Sequence, residues 1–143
     1  MTGDVLPDPS GPFGQRVRDR LETERVVWFT TIGADGTPQP NPVWFVWADG
    51  GFLIYNMANA RRLDHILGRP QVSLHFNSTS QGADVVVFRG LARPVDTQPP
   101  PHENTAFVAK YRDAMKAVSG SLEAFSAAYP RVVRVEVNGV RGY

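Results

Sequence analysis

The sequence predicts a mainly β, α+β domain: a six-stranded, largely antiparallel β-barrel with flanking helices. Three observations lead there. Short segments that alternate apolar with polar residues, or run β-branched and aromatic, recur between Val26 and Val137, and a period of two is the mark of a strand. Asp-Gly pairs at Asp35–Gly36 and Asp49–Gly50 separate the first three segments, and such pairs favour hairpins because both residues tolerate positive φ. Residues 26–32 and 85–92 are apolar on both faces. Each therefore needs cover on two sides, and for a small chain a partner subunit is the readiest cover.

Each element follows from local pattern. Phe13, Val17 and Leu21 recur at helical spacing among Arg16, Arg18, Asp19 and Arg20, so a short amphipathic helix opens the domain. The first strand is 26–32, the second runs from the Asp35–Gly36 turn to about Trp47, and the third covers 52–57, which makes a meander. Asn59 is the expected cap of a helix bearing Leu63, Ile66 and Leu67 on one side and stopping near Gly68, ahead of Pro70. Val72, Leu74 and Phe76 alternate with Ser73, His75 and Asn77 in a fourth strand; a fifth, 84–95, follows the loop 78–83. Prolines at 94 and 99–101 break the chain before a second amphipathic helix marked by Phe107, Tyr111, Met115 and Val118. A helical stretch around 122–129 precedes the last strand, in which Val133, Val135 and Val137 alternate with Arg134 and Glu136. Closing these strands into a barrel removes exposed edges.

Length and composition bound the possibilities. With 143 residues the chain can bury one continuous core. Residues 1–12, with Pro7, Pro9 and Pro12, read as a loose, flexible tail, and 13–143 as a single domain. No run of about 18 apolar residues offers a membrane span, and the N-terminus lacks the basic-then-apolar order of a secretion signal. A formal charge of +1 gives no basis for nucleic-acid binding. The absence of cysteine removes disulfides, thiolate metal sites and thiol nucleophiles together, and a cytoplasmic setting is expected. No Gly-rich phosphate loop, histidine pair at metal spacing or nucleophile elbow is present. His65 and His102 are read as structural or surface residues.

Two local features point to a ligand. Pro38, Pro40 and Pro42 sit in what reads as a strand, which restricts that strand to an edge or a bulge. The backbone near Asn41, Pro42 and Val43 is then free to face a flat heteroaromatic ring with donors and acceptors on its edge; an ordinary solvated edge, with proline guarding against aggregation, is the other reading. Arg61 and Arg62 fall in the first turn of the helix after Asn59, where cations are mildly unfavourable unless an anion is bound. Two guanidinium groups and free amides there make a phosphate seat, and two solvated surface arginines are the alternative. Asn56 and Met57 end the strand leading to this helix, and in a meander that strand pairs with the one carrying Asn41 to Trp44. Trp44 is the tryptophan placed to stack on a ring.

The order of residues from Thr31 through the Asp-Gly hairpin, Gln39–Phe45, Tyr55–Met57, Ala60-Arg61-Arg62-Leu63 and Arg69-Pro70-Gln71-Val72-Ser73-Leu74 resembles the pyridoxamine 5'-phosphate oxidase-like family of FMN-binding split barrels. Within it the likeness is to the actinobacterial branch of coenzyme F-420 (deazaflavin)-dependent reductases. The resemblance implies a homodimer with FMN or the deazaflavin at the subunit interface, Asn41, Pro42, Val43, Trp44, Asn56 and Met57 near the ring, and Arg61 and Arg62 on the phosphate. Arg62 stands where a lysine is common in that branch, and Ala60 where a further basic residue is often found, so Arg61 is a candidate to compensate. The implied reaction is hydride transfer between cofactor and a small, conjugated organic substrate, with Tyr55 or His75 as possible proton sources and no catalytic side chain assigned. An FMN-dependent oxidase or reductase, and a cofactor- or ligand-sequestering module without turnover, are the alternatives.

Overall fold

The computed structural model of the protein describes residues 4–143. Its elements are α1 (Pro12–Thr23), β1 (Val27–Ile32), β2 (Pro38–Val43), β3 (Val46–Ala48), β4 (Gly51–Asn56), α2 (Arg62–Gly68), β5 (Gln71–His75), β6 (Val86–Val95), α3 (Thr105–Ser119), α4 (Leu122–Ala128) and β7 (Arg131–Gly142). The strands form one sheet in the order β2-β1-β5-β6-β7-β4-β3, antiparallel at every pairing. This is a curled half-barrel of the split-barrel kind. Of the tail expected over 1–12, residues 1–3 lie outside the described residues. The segment before α1 is tied to it: the Arg18 guanidinium donates to the Pro7 carbonyl at 2.7 Å and pairs with Asp4 at 2.6 Å.

Seven strands stand where six were expected, because the second strand breaks at Trp44–Phe45. The Phe45 amide donates to the Tyr111 hydroxyl at 3.0 Å, and its carbonyl accepts from the Lys110 ammonium and the same hydroxyl, each at 3.1 Å. With its peptide groups satisfied from α3, Phe45 needs no strand beside it. A second expectation falls with the first. β4 pairs with β3 and β7, not with the Asn41–Trp44 segment, which belongs to β1. At the next turn, Asp49 and Gly50 both take positive φ, as a two-residue hairpin requires; at the earlier one only Gly36 does.

β2 is an edge strand, as its prolines demand. Pro38, Pro40 and Pro42 occupy alternate positions opposite Ile32, Thr30 and Trp28. Their nitrogens therefore face one side, which must be the side away from β1. The amides of Gln39, Asn41 and Val43 consequently serve the β1 ladder, and the free edge offers carbonyl acceptors without donors.

Two apolar clusters result. One fills the curl of the sheet with Phe29, Phe45, Phe52, Ile54, Leu74 and Phe88 among others. The other lies between the sheet and α3–α4, around Tyr55, Phe107, Tyr111, Met115 and Phe125. Both helices begin at side-chain caps, Asn104 accepting from the Phe107 amide and Ser121 from that of Ala124.

Tyr111→Phe should lower stability by about 1–3 kcal/mol, the cost of leaving buried partners unpaired, measurable by urea unfolding. Burial, with Arg25 nearby, pushes the Lys110 ammonium down to about 8, and burial pushes the Tyr111 phenol up to about 12. Between pH 8 and the ordinary lysine value of 10.5 the unfolded chain holds the Lys110 proton and the folded one sheds it, so stability should rise there. Above 10 the unfolded tyrosine ionises first and stability should fall toward 12. Urea midpoints measured across this range should pass through a maximum, and Lys110→Met should remove the rising limb.

Candidate functional site

The site is built where β4 hands over to α2. Asn56 closes β4 fully buried; its amide nitrogen donates to the Ile54 carbonyl at 3.0 Å and the Arg131 carbonyl at 3.1 Å. Its remaining oxygen accepts from Arg62 Nε at 2.6 Å. Arg62 is thus held by one edge of its guanidinium, and its two terminal nitrogens have no hydrogen-bond partner among the described residues. Burial pushes its pKa below the usual arginine value, with Tyr129 nearby acting in the opposite sense. A desolvated cation with two free donor groups and no carboxylate partner is matched by an anion.

The platform carrying Arg62 is fixed to the sheet. His65 Nδ1 lies 2.8 Å from the hydroxyl of buried Thr31, and Arg69 Nε donates to the Ile32 carbonyl at 2.8 Å. Ile66 packs into the core. The helix differs from expectation at its start: Arg61, not Asn59, holds the cap position, no side chain caps it, and it spans only seven residues. Its dipole is correspondingly short, and Asp64 already sits in its first turn. Anion affinity here rests on the guanidinium of Arg62.

Two adjoining cavities share Arg62 and Ala60. One, of about 370 Å³, is lined by Pro42, Val43, Trp44, Tyr55 and Met57 together with residues of α3–α4. The second, of about 360 Å³, is lined by Gln39, Asn41, Ala60, Arg61, Arg62 and His65. Each falls within the size of small-molecule sites, about 300–1,000 Å³. The first is largely aromatic and the second polar and basic; neither has an acidic residue in its wall. A flat ring joined to an anion suits this pair of compartments, with Arg62 at the seam.

Of the residues singled out in the sequence, Pro42, Val43, Trp44, Met57 and Arg62 line the aromatic cavity, and Asn41, Arg61 and Arg62 the polar one. Asn56 lines neither and acts by holding Arg62. Trp44 stacks on Tyr111 with centroids 4.7 Å apart and on Phe125 at 5.4 Å, so much of its ring is spent within the protein. His75 lies elsewhere, stacked on Trp28. Tyr55 is at the cavity, but its hydroxyl already donates to the Pro99 carbonyl at 2.7 Å.

Sequence reasoning missed the contribution of the helices: Phe107, Val118, Phe125 and Tyr129 complete the aromatic cavity. Phe107 and Phe125 are buried core, while Val118, 57% exposed, and half-buried Tyr129 are not. Gln39 was legible, since it shares a strand face with Asn41. Among the described residues no group of three or more His, Asp or Glu is arranged to hold a metal ion, and no helix is long and apolar enough to cross a membrane.

Comparison with solved structures returns the same architecture. A structure described as an F420 reductase aligns at 24% identity with a TM-score of 0.65, covering 87% of this chain and 94% of its own. A conserved hypothetical protein from Mycobacterium tuberculosis aligns at 20% identity and a TM-score of 0.68, covering 99% and 87%. The heme storage protein HutZ from Vibrio cholerae aligns at 14% identity and a TM-score of 0.62, covering 90% and 92%. At these identities the likeness is one of fold. No curated protein matches the chain. The family model for pyridoxamine 5'-phosphate oxidase matches residues 13–142, and the chain therefore belongs to the pyridoxamine 5'-phosphate oxidase family.

Proposed function

We propose that this protein is a coenzyme F-420-dependent oxidoreductase, acting as a homodimer on a small organic substrate. The observation that carries the reading is Arg62: buried enough to be desolvated, clamped by Asn56 at Nε, and presenting two unpartnered nitrogens where an aromatic cavity meets a polar one. Arg62 and Arg61 would hold the cofactor phosphate. Pro42, Val43, Trp44 and Met57 would bound the ring, and the donor-free edge of β2 suits a ring that offers N–H groups. Asn41, with Gln39 and His65, would line the path of the polar chain between ring and phosphate.

When bound, the deazaflavin supplies the hydride chemistry. The protein orients the ring and keeps water from it, which the aromatic wall of α3–α4 is suited to do. Met57 and Val118, 46% and 57% exposed at this cavity, are apolar groups that a second subunit would cover. The structural likeness to an F420 reductase supports the deazaflavin over FMN; the two share a ring, a polyol chain and a phosphate, so the residues named above would serve either.

Fluorescence titration of the purified apoprotein with both cofactors separates them. Submicromolar binding of F-420 is expected, and submicromolar binding of FMN alone would reject the deazaflavin. Arg62→Ala should weaken cofactor binding by about 1.5–3 kcal/mol, as for a lost charged hydrogen bond, and should also lower stability by about 1–3 kcal/mol, because the buried Asn56 oxygen loses its partner. Asn56→Ala should weaken the same binding and also lower stability by about 1–3 kcal/mol, since the Arg131 carbonyl and Arg62 Nε lose their partner. An unchanged dissociation constant in Arg62→Ala contradicts the site. Cofactor retained without oxidation by any of a panel of enones, quinones and tetrapyrroles would make the protein a carrier instead.

A further inference from the structure

The chain has two lysines, Lys110 and Lys116, both on α3. Lys116 is exposed. Lys110 is half-buried: its ammonium lies 3.6 Å from the centroid of the Phe45 ring and 5.2 Å from that of Tyr111, and it donates to the Phe45 carbonyl at 3.1 Å. The Arg25 guanidinium lies 5.1 Å from the same Tyr111 centroid. Two cations thus share one aromatic ring, and among the described residues neither forms an ion pair with a carboxylate. Glu24, whose charge reaches Lys110, is engaged by Arg20 at 2.7 Å. Both cations line a cavity of about 1100 Å³, to which the segment before α1, α1, the β3 hairpin and α3 contribute. It shares no lining residue with the two cavities that meet at Arg62. Of its acidic groups, Asp4 pairs with Arg18 at 2.6 Å, and Asp19 and Glu22 are exposed on α1.

These surroundings set the chemistry of the amine. Loss of water, and then the like charge of Arg25, hold the ammonium down to about 8, so near neutrality a substantial fraction is free amine. A lysine amine desolvated beside another cation is an activated nucleophile. Conversion to a secondary amide suits this position: one N–H remains for the Phe45 carbonyl, no charge stays buried, and the repulsion from Arg25 ends. The contact of the ammonium with the Phe45 ring is given up in exchange. Arg25, with no carboxylate of its own, is placed to attract an acyl donor that carries negative charge.

We infer that Lys110 is a site of acylation and that its donors are acyl phosphates, which reach it through the cavity beside Arg25. The free amine attacks the acyl carbon. A carbon–nitrogen bond forms, and the bond from that carbon to the phosphate oxygen breaks. The nitrogen gives up one proton, which leaves on the departing phosphate. Nothing is oxidised or reduced, and the inference is independent of the cofactor proposed above.

Acetyl phosphate tests this on the folded full chain at pH 7.5, with acetylation of each lysine followed by peptide mass spectrometry. Relative to an ordinary lysine, the lowered value raises the free-amine fraction about a hundredfold at that pH, and the weaker basicity takes back about tenfold in reactivity. Lys110 should therefore be acetylated about tenfold faster than Lys116, and the preference should vanish in urea. Acetylated protein should also lose the rise in stability between pH 8 and 10.5, since the group no longer titrates. Arg25→Met tests the donor class. It should slow acetyl phosphate about two- to fivefold relative to neutral p-nitrophenyl acetate, the range for an exposed charge contact. A change in the amine itself affects both donors alike, so the ratio reports attraction of the anion. Equal acetylation of the two lysines in folded protein, or a preference that persists in urea, overturns the site, and that measurement needs no substitution. A donor ratio unchanged in Arg25→Met overturns the acyl phosphates.

Discussion

The peptide group of Phe45 has no strand beside it, and the hydroxyl of Tyr111 stands in that place. Much of the architecture hangs on this substitution. Because the chain between β2 and β3 is satisfied from α3, the two edge strands remain unpaired with each other and the barrel stays split. The same bond draws α3 against the sheet, so that Trp44, one residue before the break, stacks on Tyr111 and Phe125. The aromatic cavity exists because a strand was interrupted and a helical hairpin was bound at the interruption.

The second organising contact is local and chemical. Asn56 uses both amide hydrogens on backbone carbonyls and its oxygen on Arg62, so the last residue of β4 sets the aim of the first residue of α2. A lone arginine side chain loses considerable rotamer entropy when it is immobilised. Anchoring Nε beforehand means that a ligand anion does not bear all of that cost. With Thr31–His65 and Arg69–Ile32 closing the far end of the helix, the cation is presented by a braced element rather than a mobile loop.

These two contacts also mark how far the sequence could be read. Alternating strands, Asp-Gly turns and amphipathic helices are short-range patterns, and they located the four helices and every strand except the separate β3. The edge position of β2 was legible because proline cannot donate to a central ladder. The break at Phe45 was not, because its cause is a tyrosine 66 positions away. The pairing of β4 with β7 has the same character: a meander is the local inference, and burial of a six-residue strand that is buried throughout overrides it. Arg62 was singled out from its charge and neighbours. Asn59 was assigned a cap on residue type, yet the helix starts three residues later, and Tyr129 was placed only in a helical stretch, because nothing local in the sequence tells that it reaches the cavity.

The central claim is that a flat redox cofactor spans the two cavities with its anion on Arg62. A crystal structure of the protein with bound F-420 tests it most directly. The account predicts the deazaflavin ring against Pro42–Trp44 and the α3–α4 wall, with phosphate oxygens on the terminal nitrogens of Arg62. A ring housed elsewhere, with Arg61 and Arg62 turned to bulk water, would contradict it even with the split barrel intact.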